Sequence, residues 1–432
     1  MSILSNMFRI PELRNRLFFT LCIMVIVRVG TQISVPGIHV NNLLAAVGTD
    51  TNNFIAFVNL LSGGALNRAS IFSLGVTPYI TASIVMQLLT VIIPSFEKLA
   101  KEGPEGRRKI QQYSRIGTLF IATIQGVIYG NYLLQFNGSI ARQFILIQPT
   151  HFVVLFTVAV ATGTYLLMWL GERITEHGLG NGVSMIILSG IVAEFPPALY
   201  TLFNTPQDPI ISLLLVILFI GVIMAVVFEE LALRRVPVQY SRAGNMVQGP
   251  THLPFKVNPT NVIPIIFASA VLVFPVQLAQ WFGSRVPFLQ QVSQALQPGE
   301  LWYSVIYFIL ILFFAFFYIE IELNPHDIAE NLRRQNAFIP GVRPGIETEQ
   351  YISNILYKLT LPGATFLGII ALLPTFIVNR LKVPQNVAYL MGGTSLIILV
   401  GVSLNTLRQI EAFLNMHHKD GFLTPKKRHY YE

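Results

Sequence analysis

Residues Asn59 to Pro94 read NLLSGGALNRASIFSLGVTPYITASIVMQLLTVIIP, and the two halves of this stretch disagree about the membrane. The second half is an apolar helix of full crossing length. The first half, up to Gly75, is too short to cross and carries the Gly63–Gly64 pair, Asn67 and Arg68. Irregular or half-length backbone at membrane depth is tolerated only where it is buried in protein or lines a watery cavity, because lipid offers its polar groups no partner. A polytopic protein with such a segment has something to fill or gate. The stretch therefore predicts a pore.

The rest of the chain supplies the membrane protein around it. Of 432 residues, 53% are hydrophobic and only 12% charged, with a mean hydropathy of +0.59; a soluble domain carries about 25% charged residues. Apolar runs near the ~20 residues needed to cross a bilayer recur at 17–35, 76–94, 116–136, 152–170, 183–203, 210–228, 261–282, 302–320, 356–378 and 386–407. The ninth contains Pro362 and Pro374. Arg28 interrupts the first run and no small-residue cleavage pattern follows it, so it reads as a span and not as a cleaved signal. The single cysteine, Cys22, rules out a disulfide framework and reads as a small apolar residue. The fold class is an all-α polytopic membrane protein with ten transmembrane helices. Cut near Pro206, the chain gives an N-terminal half (1–205) and a C-terminal half (206–410) of five spans each, followed by a tail (411–432). An odd number of spans per half makes the two halves inverted in the membrane. That reading rests on span count, since no residue-level repeat is visible.

Basic residues set the orientation. The N-terminus, the loops 95–115, 171–182, 229–260 and 321–358, and the tail hold most of the 29 Lys and Arg residues. The opposite face holds Arg68, Arg142, Arg285, Arg380 and Lys382. The positive-inside rule places the richer set and both termini in the cytoplasm. The loop KLAKEGPEGRRKIQQYSR (98–115) exceeds what topology needs. Its cation density reads as a docking surface for something acidic: lipid headgroups, an acidic protein or nucleic acid.

Charges inside the spans are scarce. Glu172, Glu229, Glu230, Glu320 and Glu322 fall at cytoplasmic span ends, and Arg28 reads as the single charge well inside a span, snorkelling or pairing with a carbonyl between helices. An ion-coupled solute transporter with inverted repeats is the alternative class, but it needs a buried ionisable relay. An intramembrane hydrolase needs a Ser–His pair or paired aspartates inside spans. Neither set is visible, and HExxH, Walker and GxSxG motifs are absent. GLGNG at 178–182 reads as a tight cytoplasmic turn, with glycine relieving backbone strain. His417–His418 reads as part of a solvated tail. No catalytic residue, metal site or cofactor is expected.

Long motifs then match a family. SVPGIHV (34–40), SGGALNRASIFSLGVTPYITASI (62–84), KEGPEGRRKIQQY (101–113), MWLGERITEHGLGNGVSMII (168–187), THLPFKVNPTNVIPIIFAS (251–269) and AFIPGVRPG (337–345) resemble the SecY-type central subunit of the protein-conducting channel, from about Arg9 to the tail. The resemblance implies an hourglass pore that passes unfolded polypeptide across the bacterial cytoplasmic (inner) membrane and releases apolar helices sideways into lipid.

The resemblance also implies roles. Residues 59–74, with Asn59, Gly63, Gly64, Asn67 and Arg68, match the plug and are expected to form a short helix. Val76, Ile80, Ile187, Ile266 and Ile398 fall where the family places a hydrophobic pore ring, which offers a moving chain no specific hydrogen bonds and resists ions by dewetting. Gln87 and Asn258 match polar residues of the lateral gate. Arg107, Arg108, Arg234, Arg235 and Arg343 match the surfaces that receive a motor ATPase (SecA-like) or the ribosome with its RNA. The loop QYSRAGNMVQGPTHLPF carries one Arg where relatives have a basic cluster. Other implied partners are small single-span subunits (SecE- and SecG-like), unfolded preprotein or signal peptide, and membrane lipids.

Overall fold

Proline punctuates this chain at helix starts, where its missing N–H costs nothing and its fixed φ suits the first turn. Pro11, Pro78, Pro94, Pro149 and Pro325 all sit at the first or second position of a helix. The computed structural model describes residues 10–47, 59, 62–138, 143–204, 209–240, 252–260, 262–282, 291, 295–296, 300–381, 383, 387–388 and 393–416. Arg142, Arg285, Lys382, the 241–250 part of the weakly basic loop and the His417–His418 tail lie outside the described residues.

The helices run α1 (Pro11–Gln32), α2 (Val40–Val47), α3 (Thr77–Ile92), α4 (Pro94–Lys101), α5 (Pro104–Gly138), α6 (Pro149–His177), α7 (Gly182–Asn204), α8 (Pro209–Leu231), α9 (Ile263–Phe282), α10 (Leu301–Glu322), α11 (Pro325–Arg334), α12 (Ile346–Leu381) and α13 (Thr394–Met416). Four short strands interrupt them: β1 (Leu233–Pro237), β2 (Gln239–Tyr240), β3 (His252–Lys256) and β4 (Ala337–Phe338). Each of the first nine sequence spans falls mainly on a helix of its own, and the tenth, 386–407, meets α13 from Thr394 onward. Among the described residues seven helices are long and apolar enough to cross on length and composition alone, or eight if the bent pair α3–α4 counts as one span. α12 stays continuous through Pro362 and Pro374. Prolines in such helices are tolerated where neighbouring helices and local adjustments satisfy the freed carbonyls. α5, at 35 residues, is about 50 Å long, more than a bilayer core needs, so its ends stand outside the hydrocarbon.

The chain divides into two compact units. One is Met1–Pro206 with Pro384–Leu390 and Val402–Glu432; the other is Gln207–Val383 with Met391–Gly401. In the first, α5 packs along α6 and α3, and α1 and α7 pack on α6. Its core holds Leu43, Ala69, Leu74, Ala122, Leu133, Phe144, Phe152, Phe156 and Val160. In the second, α9, α10 and α12 pack in series, and α12 also meets α8 and α11. A smaller core joins its polar loops to the ends of α10 and α12: Val236, Val238, Phe255, Ile319, Leu332, Ala337, Ile339, Ile352 and Leu356. β1 and β3 pair antiparallel there with Arg234 opposite Phe255, and β2 pairs with β4. Outer helix faces are apolar in both units, with Phe18 and Val25 exposed on α1 and Ile210 and Phe228 on α8. Such faces suit lipid.

Candidate functional site: the re-entrant segment and its seat

Asn59 and Ser62 are helical, but residues 63–76 are a chain of turns, so the short helix expected over 59–74 does not continue past Ser62. Gly63, Gly64 and Gly75 adopt positive φ, and so does Ala69. A right-handed helix cannot run through those positions. Instead the segment ties itself up locally. Asn59 accepts from Gly64 N at 3.0 Å through its carbonyl, and from Asn67 N at 3.0 Å through Oδ1. Ser70 N donates to Ala65 O at 3.1 Å.

The segment is buried inside the first unit. Ala65, Leu66, Ala69, Ser70, Phe72, Ser73 and Leu74 are all buried, so its backbone is shielded from lipid by protein. Its partners come from several helices. Tyr129 of α5 donates to Leu66 O at 3.1 Å. Ile71 N donates to Ile33 O, and Val35 N to Ala69 O, each at 3.0 Å. Gly163 of α6 admits the segment: a Cβ there would stand 2.1 Å from Ile71 O. Gly30 of α1 likewise leaves room for the Phe72 ring, 2.0 Å from where a Cβ would be.

Charges complete the seat. Arg28 Nη1 donates to Gly63 O at 3.2 Å; of the two expected roles, snorkelling or pairing with a carbonyl, this is the second. Arg68 donates to Gln32 Oε1. The expectation that Arg28 is the only charge inside a span is corrected: Glu194 lies within α7, half-buried, facing Arg28 and Arg68. The signal was available, because Glu194 stands alone in an apolar run just before Pro196–Pro197.

The aliphatic residues expected at a constriction divide between the units. In the first, Val76 caps α3 and is 4% exposed, Ile80 is half-buried one turn on with its N–H on Val76 O at 3.1 Å, and Ile187 is buried in α7. In the second, Ile266 is half-buried on α9 and Ile398 buried on α13. Gln87 is half-buried on α3, with its side-chain oxygen buried and unpartnered among the described residues. Asn258 is buried before α9, accepts from the Thr260 hydroxyl at 2.9 Å and faces the Glu229 carboxylate. Glu229 and Glu230 are themselves buried, with Lys256 Nζ 3.9 Å from Glu230.

In the basic loops, α3 turns by 100° into α4, and Gly103 leads into α5. Arg107 and Arg108 are exposed on the first turns of α5. Arg115 is taken up by Glu172 of α6 at 2.8 Å. Arg234 and Arg235 are exposed on β1, and Arg343 on the turn after β4. GLGNG is a turn, as expected: Leu179 N donates to Thr20 Oγ1 at 3.0 Å and Gly180 N to Gln409 Oε1 at 2.7 Å.

This geometry defines a class: a multi-pass helical membrane protein whose re-entrant segment is lodged inside one of its helical units. A SecY family profile matches residues 70–407. The protein translocase subunit SecY of Vibrio cholerae is 42% identical over 427 residues, covering 96% of this chain and 94% of the relative. That of Halalkalibacterium halodurans is 42% identical over 439 residues, covering 97% and 99%. Among solved structures, a protein-conducting channel aligns with a TM-score of 0.67 at 19% identity over 94% of both chains. Canine Sec61 in a ribosome–channel complex from the endoplasmic reticulum aligns with a TM-score of 0.64 at 18% identity, again over 94% of both chains. The chain belongs to the SecY family, and it is the channel subunit of a protein translocase.

Proposed function

We propose that this chain conducts unfolded polypeptide across the bacterial cytoplasmic membrane, with residues 59–74 as the plug and both termini cytoplasmic. The observation that carries the reading is the seat: a turn-rich segment buried against α1, α5, α6 and α7 and held by a few side-chain hydrogen bonds with α1 and α5. A segment held that way can be displaced without unfolding the helices that hold it. Its departure vacates space inside the protein.

Val76, Ile80, Ile187, Ile266 and Ile398 then supply the aliphatic collar around a moving chain, and the two halves 1–205 and 206–410 act as inverted partners. Gln87 and Asn258 mark the seam through which apolar segments leave. Polar contacts between helices contribute only about 0.6–2 kcal/mol each, a suitable size for a seam that opens. Partition into lipid supplies the driving force, since each central Leu, Ile, Phe or Val contributes roughly −0.3 to −0.6 kcal/mol against about +2.5 or more for a charge. Arg107, Arg108, Arg234, Arg235 and Arg343 receive a SecA-like motor ATPase or the ribosome, and SecE- and SecG-like single-span subunits complete the complex.

Reconstitution tests the reading. Proteoliposomes holding this chain, those small subunits and the motor should protect an added preprotein from protease in an ATP-dependent way. Protection equal to that of liposomes lacking this chain would overturn the proposal.

A further inference from the structure

Gly63 and Gly64 form the point at which the re-entrant segment turns against α7, and two charges meet it there. The Arg28 guanidinium of α1 donates to the Gly63 carbonyl at 3.2 Å. A Cβ on Gly63 would stand 2.3 Å from Arg28 Nη1 and 2.7 Å from Gly190 Cα of α7. A Cβ on Gly64 would stand 2.6 Å from Glu194 Oε1. The turn therefore touches a cation on one side and a carboxylate on the other. Arg28 and Glu194 attract each other, and Arg68 of the segment adds a second cation to the same field. Beside Arg28 remains a cavity of about 20 Å³, bounded also by Thr31, Ser62, Val76 and Ser189. That volume is enough for one water.

We propose that Arg28 and Glu194 are positioning residues that latch the plug at its Gly63–Gly64 turn. This rests on the plug reading of residues 59–74 and names the groups that set how readily the plug leaves. The chemistry suits a latch. A guanidinium on a backbone carbonyl is a charge-assisted hydrogen bond, stronger than a neutral one. Glu194 balances the Arg28 charge while the plug is seated, and the pair still balances once it has gone. The latch can therefore open without stranding a lone buried charge, which would be costly. Glycine is required at both positions, because φ is +63° and +83° there and the charged groups fill the space of a side chain.

The test is ion leak through reconstituted channels carrying Arg28→Gln, Arg28→Lys or Glu194→Gln, each with the plug intact and with residues 59–74 deleted. Equal amounts of membrane-inserted protein are compared. With the plug present, Arg28→Gln and Glu194→Gln should each raise the leak about tenfold, the scale of one hydrogen bond to a charged group. Arg28→Lys, which keeps charge and one donor, should restore most of the seal. In the deleted background none of the three should change the leak further, because the latch acts only through the plug. Leak unchanged by both neutral variants, while the deletion itself leaks, would overturn the latch and leave the plug reading standing. Additive leak in the deleted background would also overturn it, by placing the two residues' effect elsewhere. A deletion that does not leak would remove the plug reading, and the latch with it. Glu194→Gln, a neutral change of the same shape at a half-buried site, keeps the test alive if Arg28→Gln fails to insert.

Discussion

Arg343 holds its charge out on a turn that restrains it from both sides. Its side chain is 88% exposed. The Thr348 hydroxyl donates to its carbonyl at 2.8 Å, and Pro344 and two glycines shape the turn. The ion pair with Glu347 is long, at 3.9 Å, and exposed pairs of that kind contribute little. The guanidinium is therefore free to make paired hydrogen bonds to a partner's carboxylate or phosphate. Arg343→Glu should leave folding intact and impair motor-driven export more than ribosome-coupled insertion, since the proposed ribosome contacts are spread over several basic loops. Both assays on equal inserted protein decide it, and normal motor-driven export in the variant would contradict the assignment. His326 offers a second residue-scale prediction. It lies on α11, among the polar loops outside the membrane spans, and the Glu349 carboxylate 3.0 Å from its Nδ1 raises its pKa above the usual histidine value. A raised folded pKa means the contact stabilises fully below the ordinary histidine value and is lost as pH rises through the folded one. The NMR titration midpoint of the His326 ring should fall in Glu349→Gln; an unmoved midpoint would discount the pair.

At the scale of elements, the close contact between α6 and the re-entrant segment makes the most exposed prediction. Gly163 leaves no room for a Cβ beside the Ile71 carbonyl, and that neighbour is backbone. Gly163→Val must push the segment or the helix. Overpacking of this kind costs about 1–3 kcal/mol. The variant should insert, retain its helix content and leak ions severalfold more than the parent. A leak equal to the parent's would mean that the segment does not seal. The same elements show what sequence could and could not reveal. The half-length segment was legible because Gly63–Gly64, Asn67 and Arg68 deny it a span. Its turns were legible only in part: glycine permits the positive φ of Gly63, Gly64 and Gly75, whereas no residue type announces that of Ala69, whose carbonyl accepts from the distant Val35 N–H. Arg28 was legible as a charge seeking a carbonyl, but which carbonyl depends on where the segment folds back. Glu194 was visible in the letters and lost among the apolar residues around it. The basic loops were legible as a set, yet Arg115 and Arg107 look alike in sequence. Only the fold shows that Glu172 takes up one and leaves the other exposed.

For the whole molecule, conduction makes one demand: a polypeptide must pass through this chain, touching the residues assigned to the collar and not merely the surfaces where partners dock. The direct measurement is site-specific photo-crosslinking in the assembled complex, with a preprotein arrested midway across the membrane. A photoreactive side chain placed in turn at Val76, Ile80, Ile187, Ile266 and Ile398 should label the arrested chain at all five positions, and only while translocation is under way. The same probe at Phe18, Val25, Ile210 and Phe228, which face outward in their units, should label lipid or nothing. Collar positions that label only lipid or other helices, with the arrested chain untouched, would contradict the claim that this protein is the conduit.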